Sequence, residues 1–566
     1  MKRYQHTSGH LDQNQFGQSH TRSRPKQGRL LLTLICFLSI FVIITVRLIS
    51  LGVSSLPIGP VLATSQSVSK SQSRPDVVDR YGQLLSTDIK TSSLYSDPAK
   101  IIDMDELTEK LHGMFPELEL EDLHVRLQND KRRFEWIKRH LTPKQEAAIY
   151  ELGLPSLNFI YEAHRVYPSA NLASHILGFV DIDNKGLSGV ERYLDQVTGV
   201  YLPKVFRQAE KPIVELSIDL GVQHILRDEL AQAMKRYRAK AAGGILLDVT
   251  SGEVIAMSSL PDFNPHQPKQ ALEKDRLNRM VNGSFELGSI FKAITAAMAL
   301  DYRTVGINSG YDATRPIRIG GFTINDYHPK KRWLSVPEIF IYSSNIGAAK
   351  MSIDVGKERH YEFLKRLNLT EKFDTELGDV SPPLLPKKWR NIHSITISYG
   401  HGISVSPLQF AASSAALFNG GYYVKPTFLK RSRANGRALA TKVLRSSTSS
   451  HMRELMRQNV LRGTGKAADA LGYRVGGKTG TAEKAINGKY DTDKLLTTFL
   501  SVFPSDDPAY LMLIMLDEPQ TVAGQKRPTA GANVAPLTKR IIERVGAKLG
   551  VMPQFEAAQL PGDLIE

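Results

Sequence analysis

Three short groups of residues in this chain carry side chains suited to acyl transfer: Ser289 with Lys292, Ser343 with Asn345, and Lys478 with Thr479, Gly480 and Thr481. Ser289 follows Gly288 and opens an apolar run, so the i, i+3 spacing puts Ser289 and Lys292 on one face of a helix. A serine hydroxyl is a poor nucleophile until a neighbouring base takes its proton, and a lysine can do so only if its pKa is lowered. Burial and a second cation, Lys478, are the effects that would lower it. Ser343 and Asn345 fall between an apolar stretch, residues 339–342, and a small-residue helix start, which predicts a loop. There Ser343 could relay the proton to a leaving amine, while Asn345 could bind a substrate amide and hold Lys292 in place. Ser and Asn also favour helix N-caps, the plainer reading of this pair.

Around Lys478 the strand period of two puts Thr479 and Thr481 on one face. Gly480 is read as admitting a substrate backbone. Two hydroxyls and the Lys478 charge would then grip a terminal carboxylate, and the N–H groups of Ser289 and Thr481 would form an oxyanion hole.

Taken singly, these patterns prove little. Ser67 with Lys70 also fits S-x-x-K, and Ser156 with Asn158 and Ser169 with Asn171 fit S-x-N. Residues 472–479 match the phosphate-binding pattern G-x-x-x-x-G-K-[ST], and residues 511–517 resemble a Walker B strand. A phosphate-binding loop should follow a buried strand and open a helix, whereas Gly480 and Thr481 follow at once here, which argues against a nucleotide triphosphatase.

The elements that must position these groups are legible from about residue 215. Residues 244–257 alternate about a Thr-Ser-Gly turn and predict a β-hairpin; residues 495–503 and 510–516 flank a Pro-rich turn and predict a second. Helical stretches at 290–300 and 408–417 lie between them. Strands at both ends with helices between predict an α+β domain, one antiparallel sheet flanked by helices. Residues 76–205 look like a small accessory domain with a turn at Asp79 to Gly82 and helical runs near 105–111, 120–128 and 144–152. Its motif-like residues, Arg165 with Tyr167, His175 with Gly178, and Gly189 with Glu191, are read as turns and helix starts.

The composition bounds the rest. The 566 residues are too many for one core. The net charge of +16 allows a nucleic-acid, membrane or acidic-polymer partner. No zinc spacing, aromatic nucleic-acid-binding strand or long basic amphipathic helix supports nucleic acid. The single cysteine, Cys36, rules out an internal disulfide framework and a cysteine metal site, and the 15 histidines show no ligand spacing. Residues 30–46 carry no charge, and apolar character resumes to residue 53, which predicts a transmembrane anchor. Six basic residues against Asp12 in the preceding 29 put the tail in the cytoplasm and the rest of the chain outside it. The expected organisation is a basic tail at 1–29, an anchor at 30–53, a Ser/Pro-rich linker at 54–75, an accessory domain at 76–205, a catalytic domain at 206–549 and a loose tail at 550–566.

The order S-x-x-K, S-x-N, K-T-G-T resembles that of penicillin-binding proteins and serine β-lactamases. Ser289 in residues 285–292, residues 399–409, the Asp-Arg-x-Gly turn with Arg80 and Gly82, and Gly189-x-Glu191 are similar to the class B penicillin-binding proteins, over residues 74–545. The Ser-Ser-Asn at 343–345 resembles the division-specific type, called FtsI, since the elongation type usually carries Asp where Asn345 stands. Departures are Ile290 for the commoner Thr or Val, and Pro75 where Gly is usual.

The resemblance implies a transpeptidase domain of the penicillin-binding and serine β-lactamase fold on an N-terminal pedestal. It implies a D,D-transpeptidase that cross-links peptidoglycan stem peptides at the septum through an acyl-enzyme and binds β-lactams covalently, with no cofactor or metal. The implied setting is the bacterial inner membrane with the catalytic domain in the periplasm. Implied partners are lipid II-derived glycan strands, a SEDS-type glycan polymerase and other division proteins. A catalytically weak division scaffold and an elongation-type enzyme are the alternative readings.

Overall fold

The computed structural model describes residues 27–53, 73–198, 212–378, 380–486 and 489–555. Most of the expected tails and linker, and the boundary near residue 205, lie outside the described residues; the start of the expected loose tail is packed, with Val551 buried and the Gln554 N–H donating to the Gly472 carbonyl at 2.8 Å. The chain divides into two units, Met1–Lys70 and Ser71–Glu566.

In the first unit a helix runs over Gln27–Val53, the stretch expected to form the anchor. The side chains described there, residues 34–47, are exposed, among them Leu34, Phe37 and Phe41. Among the described residues no helix is long and apolar enough to cross a membrane.

The second unit begins with a five-stranded sheet. Its long strand Leu84–Ser96 pairs antiparallel with Asp76–Val78, Glu135–Leu141 and Leu157–Val166; Asp76–Val78 also pairs parallel with Ile213–Glu215. Helices Met104–Met114, Leu120–Leu127 and Pro143–Glu151 surround a small core of Leu94, Leu107, Leu111, Phe115 and Ile137. Asp103 caps the first by accepting from the Glu106 N–H, and Thr142 and Gln145 form a capping box on the third, with Pro143 at its first position. The three helical runs expected from the sequence are present, whereas the strand Leu84–Ser96 leaves no period-two signal, being largely polar with burial that does not alternate.

Of the motif-like residues of this region, Gly189 opens the helix Gly189–Thr198 and Gly178 ends the turn of helix before it, as expected, whereas Arg165 and Glu191 do more. Arg165 is buried and bonds Glu191 Oε1 through Nε at 2.8 Å, Asp88 Oδ1 at 3.1 Å and Ser86 Oγ at 2.8 Å. Arg74 bonds the other Glu191 oxygen at 3.0 Å and also reaches Asp195 and the Asn184 carbonyl. Glu191 is fully buried, so this is an internal ionic cluster in which each charge is paired and hydrogen-bonded.

The remainder is the expected α+β domain. Its antiparallel sheet runs in the order Gly476–Ile486, Lys489–Phe503, Tyr510–Asp517, Ala241–Asp248, Val254–Leu260. Both predicted hairpins are present within it. Tyr510–Asp517 and Ala241–Asp248 are buried along their whole length, and successive residues serve opposite faces. Leu246, Met512, Ile514 and Leu516 meet the helices Leu220–Arg236 and Val534–Val545 on one side. Ile245, Leu247, Leu511, Leu513 and Met515 join the core of Phe291–Asp301 and Pro407–Ala415 on the other. Residues 291–300 of this helix are buried all round, which is why the run is apolar apart from Lys292 and Thr295.

Candidate active site

Ser289 sits in a 3-10 turn, Gly288–Ile290, that feeds the buried helix Phe291–Asp301. The turn is pressed onto the edge strand of the sheet. Gly288 takes a φ of +62°, and a Cβ there would stand 2.9 Å from the Thr481 carbonyl oxygen, so only glycine fits both the backbone and the gap. The Thr498 hydroxyl donates to the Leu287 carbonyl at 3.1 Å, tying the turn to the neighbouring strand.

One helical turn on, the Lys292 ammonium lies 3.0 Å from Ser289 Oγ. It also donates to the Ser343 carbonyl at 2.6 Å, Ser343 Oγ at 3.1 Å and Asn345 Oδ1 at 2.6 Å. Lys292 is 3% exposed, and that burial lowers its pKa to about 7, with Asp326 partly opposing the shift.

Ser343 occupies the connector between helices Val336–Ile341 and Asn345–Val355, with a φ of +58°. That left-handed conformation brings its carbonyl and hydroxyl to the same ammonium. The N-cap is Ser344, whose hydroxyl accepts the Gly347 N–H at 3.0 Å, so neither Ser343 nor Asn345 is occupied by capping. Asp326 fixes the helix start by accepting from Ser344 Oγ at 2.8 Å and the Ile346 N–H at 3.0 Å. Asn345 is held from behind, its amide donating to the Asn325 carbonyl at 2.8 Å.

Lys478, Thr479, Gly480 and Thr481 lie within Gly476–Ile486, in continuous register with Lys489–Phe503 from Gly476 to Glu483. A phosphate-binding loop opens a helix, and this segment is mid-strand, which removes the nucleotide reading. Lys478 is fully buried and donates to Ser343 Oγ at 2.9 Å; burial, then the charge of Lys292, pulls its pKa well down. The Thr479 and Thr464 hydroxyls bond at 2.6 Å, the Ala530 N–H donates to Thr481 Oγ1 at 3.2 Å, and the Asn459 amide donates to the Gly477 carbonyl at 2.7 Å.

All eight residues singled out from sequence therefore converge on one site; the alternative Ser-x-Asn pairs at 156/158 and 169/171 do not enter it, and Ser67 and Lys70 lie outside the described residues. The expected reason for Gly480 changes. A Cβ there would lie 2.3 Å from Thr498 Oγ1 and 2.5 Å from the Leu287 carbonyl, so glycine admits the Ser289 turn rather than a substrate backbone. Sequence reasoning missed Asp326, Asn459, Thr464 and Thr498. Thr464, set between Gly463 and Gly465, carried the one local signal that could have drawn notice.

Comparison with known proteins agrees with this geometry. The penicillin binding protein transpeptidase domain family matches residues 242–543, and the penicillin-binding protein dimerisation domain family matches residues 69–198. A crystal structure of a peptidoglycan synthetase from Bifidobacterium adolescentis shares the fold, at 20% identity and a TM-score of 0.65, covering 85% of this chain and 96% of that one. The chain belongs to the penicillin-binding protein family.

The probable peptidoglycan D,D-transpeptidase FtsI of Caulobacter vibrioides is 37% identical over 494 residues, 85% of this chain and 82% of that one. The peptidoglycan D,D-transpeptidase FtsI of Escherichia coli is 28% identical over 512 residues, 85% of each chain.

Proposed function

We propose that this chain is a serine D,D-transpeptidase of the division type that cross-links peptidoglycan stem peptides. The observation that carries the reading is the 3.0 Å approach of a buried Lys292, with a pKa near 7, to Ser289 Oγ. A lysine so poised is substantially neutral at physiological pH and can take the serine proton.

In this reading the stem peptide lies along Gly476–Ile486, the edge strand of the sheet, as an added strand. Thr479, Thr481 and the Lys478 charge hold its terminal carboxylate. Ser289 attacks the penultimate carbonyl, its proton passes to Lys292, and the N–H groups of Ser289 and Thr481 stabilise the oxyanion. Ser343 bonds both lysines, so it carries the proton from Lys292 toward the leaving D-Ala amine. Asn345 keeps Lys292 oriented and presents its amide to the peptide. The side-chain amine of a second stem then takes the acyl group, and a β-lactam enters by the first step alone.

The apolar stretch 30–53 acts as a membrane anchor with a cytoplasmic N-terminus, placing the site in the periplasm. In this reading a SEDS-type glycan polymerase and other division proteins are its working partners. Residues 76–205 serve as the pedestal, and residues 206–549 as the catalytic domain.

The test is labelling of the full chain with a fluorescent penicillin, followed by mass spectrometry of the adduct peptide. The adduct is expected on Ser289 and absent from Ser289→Ala. Normal labelling of that variant, or an adduct elsewhere, refutes the mechanism.

A further inference from the structure

Glu286 stands three residues before Ser289 and has no part in the chemistry above. Its carboxylate is partly buried, and burial raises its pKa. Oε1 accepts the Gly402 N–H at 2.8 Å and the Tyr490 hydroxyl at 3.2 Å, and Oε2 accepts the same hydroxyl at 3.1 Å.

These contacts join three separate segments. Glu286 leads into the nucleophile turn. Gly402 belongs to the loop 399–402, where Gly400 packs so tightly on the turn that a Cβ would lie 2.0 Å from the Gly288 carbonyl oxygen. Tyr490 pairs with Ala485, beyond the register shift after Glu483, toward the far end of the hairpin that carries Lys478 to Thr481. The His401 ring packs edge-on against Tyr490 at 5.4 Å, and Phe285 and Val405 exchange backbone hydrogen bonds at 3.0 Å beside it.

The Thr498 bond to the Leu287 carbonyl and the Phe285–Val405 pair hold the turn to the sheet and to the neighbouring loop. The Glu286 bonds to Tyr490 and Gly402 add side-chain ties from the turn to the far end of the hairpin and to the loop 399–402. We propose that Glu286 is a positioning residue that locks the Ser289 turn to the hairpin, and so sets the separation of the two N–H groups that receive the oxyanion. The inference rests on the transpeptidase reading above. A misplacement of about 1 Å at such a pair is enough to slow acylation by one or two orders of magnitude without changing what binds.

The experiment measures penicillin acylation of the full chain in detergent, separating the maximal rate from the binding constant, together with Tm. Tyr490→Phe and Glu286→Ala are expected to lower the maximal rate about tenfold, with the binding constant within about twofold and Tm within about 2 °C. Glu286→Gln, whose single oxygen can occupy the Oε1 position and accept both donors, is expected to stay within about threefold of wild type. Wild-type rates in Tyr490→Phe and Glu286→Ala overturn the proposal, as does a loss that tracks Tm or that Glu286→Gln shares in full. Absence of any wild-type adduct on Ser289 sinks the transpeptidase reading; an unchanged rate in the variants sinks the clamp alone.

Discussion

Lys292 and Lys478 share one acceptor: both ammonium groups point at Ser343 Oγ, from 3.1 and 2.9 Å. Both are buried, and the charge of Lys292 disfavours that of Lys478. The proposed mechanism asks different states of the two: a neutral Lys292 as the base and a charged Lys478 to hold the carboxylate.

The first prediction follows from the Lys292 value. A base must be deprotonated to act, and Lys292 loses its proton above about pH 7. Penicillin acylation should therefore rise by about tenfold per pH unit below that point and level off above it. A flat profile between pH 5.5 and 8.5 counts against Lys292 as the base.

Asn345→Asp keeps an oxygen beside the Lys292 ammonium, now 2.6 Å away, but adds a negative charge. The charge favours protonated Lys292, so the acid limb should move to higher pH while the plateau changes less. Asn345→Ala instead removes the contact and should lower the plateau by about tenfold or more.

Gly480→Ala separates two reasons for that glycine. With Thr498 Oγ1 and the Leu287 carbonyl in the path of a Cβ, the substitution should cost about 1–3 kcal/mol, lower Tm and slow acylation together. Slow acylation at unchanged Tm would return the glycine to the substrate.

Arg165→Met leaves the Glu191 carboxylate, fully buried, without its Arg165 partner. Breaking a buried pair from one side costs about 3–5 kcal/mol. Chemical denaturation should show the loss, and trypsin should cut the region 76–198 much faster than in wild type.

The candidate catalytic groups were legible because the chemistry proposed for them fixes their spacing: a base one helical turn from a serine, and hydroxyls two apart on a strand. The central strands were legible because burial on both faces demands continuous apolar runs such as Tyr510–Asp517. The pedestal strand Leu84–Ser96 was not, since its neighbours rather than its own pattern hold it in the sheet. Nor could alternation reveal Gly480's true neighbour, because a period of two assigns a face without saying what lies against it. Asp326 and Asn459 act on groups about twenty residues away in sequence, and no local pattern announces such a contact.

Arg74 enters the folded body two residues before its first strand, and its guanidinium is sealed among Glu191, Asp195 and the Asn184 carbonyl. Tension arriving along the preceding chain therefore loads a buried side chain before it loads any strand hydrogen bond. Several charge-assisted contacts must yield together, so the pedestal resists being peeled from that end. An enzyme tethered by that end to one layer while bonding its substrate in another would meet such a pull at every turnover.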